Sequence, residues 1–303
     1  MKKEKIFSGY DSLPDAMASD EITQGCMVLE GGAFRGLYGE GVLDALMEAD
    51  INMQCTIGVS AGAMNGFSYC AGHIGLAARL NLGYRHDPRY IGSKAAIRNR
   101  GVIGFDFAFG RFLEDHSFNF ERFYKNERRF IAVAANMETG RPQYFEKGIC
   151  GDIFQAIRAS ASMPYLSAPV MADGIKCLDG GCCEKVPYRW ALDQGFEKIV
   201  VILTRHPTYR RNERSKSDTM AKAFYHRYRA FASVLSVNSR QANLDYEKIA
   251  ELARSGRIFL IYPSEQMDIG LLEGDMEKLG ALYYLGYEDG KAAVPALKSY
   301  LDL

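Results

Sequence analysis

The stretch Gly58-Val59-Ser60-Ala61-Gly62, entered from the apolar Cys55-Thr56-Ile57, restricts the folds open to this chain more than any other. A strand that ends in G-x-S-x-G and runs straight into a helix needs a turn so tight that the serine backbone is strained. Small residues on both sides let strand and helix approach. Such a turn presents the hydroxyl at the carboxyl edge of a sheet, above a helix N-terminus whose dipole favours developing negative charge. The pentapeptide alone also suits an ordinary βα turn with Ser60 as an N-cap, so its surroundings decide.

Those surroundings alternate strand and helix. Gly25–Glu30 reads as a buried strand, and Gly36–Ala49 as a helix with Leu37, Val42, Ala45, Leu46 and Ala49 near helical spacing. Ala61–Ala71, rich in Ala and Gly, predicts a closely packed helix. Arg129–Ala135 and Gln143–Phe145 flank Glu138-Thr139-Gly140-Arg141 as a hairpin, and Ile153–Ala161 is helical up to Pro164. Lys198–Thr204 and Arg257–Tyr262 are further buried strands, separated by helices over about 218–235 and 239–255; helical pieces over about 276–285 and 294–301 follow. Uninterrupted apolar strands in β-α-β-α order predict an α/β fold, a mostly parallel central sheet with helices on both faces. The expected division is an N-terminal segment 1–24, a catalytic core 25–205, a completion of the core 206–262 and a helical extension 263–303.

A nucleophilic serine needs oxyanion donors, a proton acceptor and a shielded acyl pocket. Glu30-Gly31-Gly32-Ala33-Phe34-Arg35-Gly36 follows the first strand and opens the first helix, so successive N–H groups can point into one concavity. A phosphate-binding turn is the alternative, but Gly31–Gly36 fits neither a G-x-G-x-x-G fingerprint nor a P-loop. Five histidines, His73, His86, His116, His206 and His226, are available as acceptors. Only His206 follows a strand end in the manner of a late triad histidine, and Pro207 and a basic loop come directly after it. Asp179, in Cys177-Leu178-Asp179-Gly180-Gly181, leaves an apolar run at a point where the backbone bends; a plain Asp-Gly turn is the competing account.

Together these segments resemble the patatin-like phospholipases. The resemblance rests on Gly31–Gly36 as the Gly-rich loop, Gly58–Gly62 as the elbow, Ala159-Ser160-Ala161-Ser162-Met163-Pro164 as the small-residue block before proline, and Asp179-Gly180-Gly181. Met267–Gly270 and Leu285-Gly286-Tyr287 are similar to the C-terminal extension of a bacterial branch. The resemblance implies a three-layer α/β/α fold and a Ser60–Asp179 dyad that cleaves lipid carboxylic esters. It also implies an oxyanion hole from Gly31, Gly32 and Ala33, supporting roles for Arg35, Gly36, Gly58, Gly62, Gly180 and Gly181, and no cofactor or metal. Ala33 departs from the family pattern: it stands where a third glycine is usual, and alanine, which still supplies an N–H, disfavours positive φ.

Thirty-seven basic residues balance thirty-seven acidic ones, so no global field draws the chain to nucleic acid or membrane. Locally, Arg205, Arg210, Arg211, Arg214, Lys216, Lys222, Arg227 and Arg229 outnumber Glu213 and Asp218, with aromatics interleaved. This segment is expected either to meet an anionic membrane surface or to form a solvated face. Phe105–Phe112 is read as core, with an acyl-pocket lid as the alternative. Seven cysteines without C-x-x-C spacing suit reduced thiols rather than zinc. The charged start and the lack of a run of roughly 20 apolar residues suit a cytoplasmic chain, peripheral to the membrane at most. A histidine-dependent esterase and a non-catalytic lipid- or acyl-binding module are the rival functions.

Overall fold

The computed structural model describes residues 5–213 and 216–303. Strand β1 (Thr23–Leu29), helix α1 (Gly36–Glu48), strand β2 (Met53–Val59) and helix α2 (Ala61–Ala71) follow one another with short turns. The hairpin expected across Glu138–Arg141 joins β3 (Arg129–Asn136) to β4 (Pro142–Glu146). Then come α3 (Ile153–Ser160), β5 (Val170–Ala172), β6 (Ile175–Asp179), β7 (Ile199–Ile202), α4 (Arg229–Leu235), α5 (Asn238–Arg254), β8 (Phe259–Ile261) and α6 (Met276–Leu301).

One eight-stranded sheet runs β8-β7-β1-β2-β3-β6-β5, with β4 also on β3. The first five strands are parallel; β4 and β6 run antiparallel to β3. Alternating residues of the buried strands feed opposite faces. Met27, Leu29, Val200 and Ile202 pack under α1 and α6, whereas Cys26, Val28, Ile57 and Val133 pack against Tyr188, Tyr246 and Ile249. The result is the expected three-layer α/β/α arrangement with a mostly parallel sheet.

β3 positions the site. Its residues Ile131–Ala135 pair with β4 on one edge. On the other edge Cys55–Val59 of β2 pair with Arg129–Val133, and Cys177–Asp179 of β6 take over at Ala134–Asn136. β2 and β6 therefore point at each other along the same edge.

Two helical expectations need correction. The stretch over 218–235 divides into Lys216–Phe224 and α4, because Tyr225 and Tyr228 turn inward: Tyr225 Oη accepts from Tyr165 N–H at 2.8 Å and Lys176 Nζ donates to Tyr228 Oη at 2.8 Å. The two pieces beyond residue 275 are one helix, α6, that carries Pro295 inside it. Pro295 is exposed, so water can satisfy the carbonyl that its missing N–H leaves behind. α6 crosses α1 very closely: a Cβ on Gly41 would lie 2.1 Å from the Tyr283 carbonyl and one on Gly286 2.0 Å from that of Tyr38. Tyr283 donates to Asp44 at 2.8 Å and Tyr38 to Asp289 at 3.0 Å across the same crossing.

Phe107 and Phe112 are buried in an aromatic cluster with Phe67, Phe118 and Phe123, and buried Phe105 stacks on Phe109, so this segment is core rather than a lid. All seven cysteines are free thiols. Among the described residues no helix is long and apolar enough to cross a membrane.

Candidate active site

The elbow forms because two glycines permit it. A Cβ on Gly58 would sit 2.3 Å from the Gly62 carbonyl oxygen, and one on Gly62 would sit 2.6 Å from that of Leu29. Ser60, between them, adopts φ 55°, ψ −121°, a conformation that costs an L-residue energy and that the surrounding structure must hold. Part of the hold comes from Ser160. Its Oγ accepts from the Ser60 N–H at 2.9 Å and donates to the Val133 carbonyl at 2.6 Å. The Ser60 side chain does not cap α2, which removes the N-cap alternative. Its Oγ donates instead to Asp179 Oδ2 at 2.6 Å.

Asp179 reaches Ser60 through the head-on strands. Val59 pairs with Val133, and Asp179 pairs with the next residue, Ala134. Oδ1 of Asp179 accepts from the Gly181 N–H at 2.8 Å, so the carboxylate also closes the Asp-Gly turn. Gly180 lies where a Cβ would meet the Val133 carbonyl at 2.2 Å. Burial raises the Asp179 pKa, opposed by the Ser60 hydroxyl, the Gly181 N–H and the charge of Lys185.

The Gly-rich loop lies alongside. Leu29 pairs with Gly58, so the turns after β1 and β2 share one edge. A Cβ on Gly31 would lie 3.0 Å from that of Ser60. The Gly31 N–H donates to the Lys185 carbonyl at 3.3 Å, whereas the N–H groups of Gly32 and Ala33 have no acceptor among the described residues. Ala33 takes φ 49°, the left-handed region its glycine-bearing counterparts enter without cost. Gly36 opens α1 and its carbonyl accepts from Asn65 Nδ2 at 2.9 Å. Glu30 pins the loop from below: Oε2 accepts from the Thr204 N–H at 2.6 Å and hydroxyl at 2.9 Å, and Oε1 accepts from the Tyr246 hydroxyl.

A family model for patatin-like phospholipases matches residues 27–192, a span that includes the Gly-rich loop, the elbow and Asp179. The chain belongs to the patatin-like phospholipase family. A second model, described as a domain of unknown function (DUF6363), matches residues 219–302. The chain is 28% identical over 183 residues to the uncharacterized protein YjjU of Escherichia coli (strain K12), covering 59% of this chain and 51% of that one. It is 25% identical over 292 residues to lysophospholipase nte1 of Aspergillus terreus, covering 90% of this chain and 18% of that one. The chain thus spans about half the length of the first relative and less of the second. VipD from Legionella pneumophila shares the fold, with TM-score 0.50 at 15% identity over 99% of this chain and 72% of that one.

In this patatin-like chain Ser60, Ala33 and Met163 stand where two cavities meet. One is narrow, about 40 Å³, and mostly apolar, with Phe34, Leu37, Met64, Tyr90 and Ile103 on its walls. The other is a cleft of about 400 Å³ lined by Gly31, Gly32, Asp179, Arg35, Lys185 and Arg211, with Pro164, Leu166, Leu235 and Leu271 at its apolar margin. No histidine lines either cavity; His206 bonds to Thr208 and packs edge-on to Tyr262.

Of the basic segment, Arg205 and Arg211 turn toward Arg35, and Arg210 pairs with Glu247 at 3.4 Å. Lys222, Arg227 and Arg229 are exposed. Arg214 and the side chains of Lys216 and Asp218 lie outside the described residues. The sequence marks no site role for Ser160, Glu30 or Lys185, although Ser160 lies in the small-residue block before Pro164; Arg211 is marked only as part of the basic segment.

Proposed function

We propose that this protein is a serine acyl hydrolase that cleaves carboxylic ester bonds of lipids through Ser60 and Asp179. The observation that carries the reading is the 2.6 Å hydrogen bond from Ser60 Oγ to a buried carboxylate of raised pKa, beside two unengaged backbone N–H groups.

Ser60 Oγ attacks the ester carbonyl and its proton passes to Asp179. The oxyanion accepts from the N–H groups of Gly32 and Ala33, with Gly31 shaping the loop. As the intermediate collapses, Asp179 returns the proton to the departing alcohol and an acyl-Ser60 is left. Asp179 then takes a proton from water, the hydroxide attacks the acyl carbonyl, and Ser60 leaves as it regains that proton. A carboxylate is a weak base for a hydroxyl, and desolvation narrows the gap. The acyl chain enters the apolar cavity and the alcohol portion occupies the larger cleft.

In this reading residues 25–205 carry the chemistry, 206–262 complete the sheet and supply basic residues, and 263–303 brace α1. The cytoplasmic, membrane-peripheral placement is part of the same proposal. Exposed Met220 and Phe224 beside exposed Lys222, Arg227 and Arg229 support contact with an anionic surface.

A chain-length series of p-nitrophenyl esters, run on wild type and Ser60→Ala, tests the reading alongside labelling by an alkyl fluorophosphonate. Turnover and a label on Ser60 are expected in wild type, and neither in the variant. Turnover without the label, lost in His206→Ala, would favour a histidine-dependent esterase. Acyl binding with neither turnover nor label would favour a binding module.

A further inference from the structure

The narrow, mostly apolar cavity beside Ser60 carries one carboxyl group on its wall among the described residues, that of Glu40. Gly36, which opens α1, abuts the elbow: a Cβ on it would lie 2.7 Å from that of Ala61. Glu40 stands one helical turn beyond Gly36, about 6 Å along the axis. Its carboxyl is held from one side only. Oε1 accepts from Asn81 Nδ2 at 2.8 Å, and Asn81 Oδ1 accepts from Tyr90 Oη at 2.8 Å. Asn81 and Tyr90 line the same cavity. Asn81 is itself anchored, since Nδ2 also donates to the Ala77 carbonyl at 3.2 Å. Glu40 is 3% exposed, yet its Oε2 has no hydrogen-bond partner among the described residues.

A buried polar atom carries its full desolvation cost until a partner meets it. Among the described residues no cation pairs with this carboxyl. Burial and then the charge of Asp44 push Glu40 up to about 8, against the hydrogen bond from Asn81. At neutral pH the group is therefore mostly protonated. With Asn81 donating to Oε1, the proton belongs on Oε2, the open position. The complement is an acceptor oxygen brought in on an otherwise apolar chain. A site built to bond such an oxygen rejects the analogue that lacks it, whereas a plain apolar pocket favours that analogue.

We propose that Glu40, positioned by Asn81 and Tyr90, hydrogen-bonds an oxygen function on the substrate's acyl chain. The preferred substrates are then esters of short acids that carry a hydroxyl or ether oxygen about five or six bonds from the ester carbonyl. This rests on the serine hydrolase reading above and names the acyl group that it takes. The ester carbonyl sits at Ser60, the methylenes lie against Phe34, Leu37 and Met64, and the oxygen meets Glu40 Oε2.

The test compares the p-nitrophenyl esters of three acids of equal length, 6-hydroxyhexanoate, 5-methoxypentanoate and heptanoate, as kcat/KM on the whole chain. Wild type is expected to favour at least one oxygen-bearing ester over heptanoate by about tenfold. Glu40→Leu should reverse the preference, and Glu40→Gln, which still presents a donor, should keep part of it. Leucine suits the burial, and Asn81 retains the Ala77 carbonyl, so a thermal melt should show Glu40→Leu folded. A wild type that favours neither oxygen-bearing ester, or a preference that Glu40→Leu leaves unchanged, overturns the proposal; the open position then belongs to water. The wild-type ratio decides even where the variant does not fold. Failure of the hydrolase reading looks different: no ester is turned over, or Ser60→Ala turns over all three. The acyl site is then tested without turnover: 6-hydroxyhexanamide should raise Tm more than heptanamide, and an equal or reversed order overturns it.

Discussion

Val59, the residue before Ser60, and Asp179 pair with adjacent residues of one strand, Val133 and Ala134, from strands that run in opposite directions. The 2.6 Å contact between Ser60 and Asp179 is thus fixed by sheet register rather than by loop packing. An aspartate has few rotamers, and the ladder sets its backbone, so the carboxylate is held in place before substrate arrives.

Asp179→Asn keeps the shape of the side chain and removes the proposed proton acceptor. Turnover of a p-nitrophenyl ester should fall by about 10²–10⁴-fold with an unchanged thermal melt. In wild type the carboxylate must be ionised to act. The acid limb of kcat/KM should therefore lie above the ordinary aspartate value of 3.8, since burial raises this group. Near-normal activity in the variant, or an acid limb at or below 3.8, counts against Asp179 as the base.

Ser160 ties the strained elbow to β3. Ser160→Ala strips an acceptor from the Ser60 N–H and a donor from the Val133 carbonyl, both buried. Urea unfolding should show a loss of about 1–3 kcal/mol, and kcat should drop while fluorophosphonate labelling slows. A variant as stable and as active as wild type would show that the elbow holds itself.

Glu40 and Asp44 lie one turn apart on α1, and both are buried. Glu40 Oε1 accepts from Asn81 at 2.8 Å; Asp44 accepts from the Gly75 N–H at 2.9 Å and from Tyr283 at 2.8 Å. Burial, reinforced by Asp44, pushes Glu40 up to about 8, and burial pushes Asp44 up to about 7 against its hydrogen bonds. An acid whose pKa is higher folded than unfolded binds its proton preferentially in the folded chain. Its contribution is complete below the unfolded value and is lost as pH rises through the folded one. Tm should therefore decline from about pH 5 to about pH 8.5, and Glu40→Gln should flatten the decline. A Tm that climbs across this range in wild type contradicts the account.

Ala33 sits at φ 49°, where a Cβ costs about 1–2 kcal/mol. Ala33→Gly removes that strain and loses part of the gain to unfolded-state entropy. Chemical denaturation should show a net gain of about 0.5 kcal/mol, with esterase activity retained. A loss of stability above 1 kcal/mol would mean the methyl group packs usefully against the apolar cavity.

At the α1–α6 crossing, Gly286→Ala would force a Cβ against the Tyr38 carbonyl. The helices must move apart, at a cost of about 1–3 kcal/mol or more. The measurement is a thermal melt with activity in parallel, and an unchanged Tm would show that the crossing tolerates a methyl group.

The parts of the fold visible in the sequence are those with local causes. Cys26–Leu29 of β1 and Ile199–Ile202 of β7 show as apolar runs because both faces are buried there, and α2 begins and ends where glycines punctuate it. Ser60 and the Gly-rich loop were legible for the same reason. The partnership of β6 with β3 was not, because strand pairing is decided by residues far apart in the chain. Asp179 alone read as a turn residue, and the turn does exist; its second contact, to Ser60, comes from tertiary register. Arg211 read as part of a basic segment facing membrane or solvent and Lys185 was not marked at all, because nothing local marks a lysine or arginine that folds inward. The stretch between the two helical pieces read at its ends holds Gly286 and Gly290, which pack against Tyr38, Val42 and Ala45 of α1 within the continuous α6, a contact that the sequence does not state.

The crossing of α1 by α6 has a consequence for the order in which function appears. Asp44 and Tyr283 are 239 residues apart, so a chain leaving the ribosome releases its nucleophile elbow long before the helix that braces α1. Until α6 follows, α1 presents an apolar face and the bare backbone at Gly41 to water or to chaperones. The loop at its N-terminus, which carries the Gly32 and Ala33 donors, is mounted on an unsupported helix. The support of that loop is therefore long-range, and it is complete only once α6, whose Tyr283 lies 239 residues beyond Asp44, has been made.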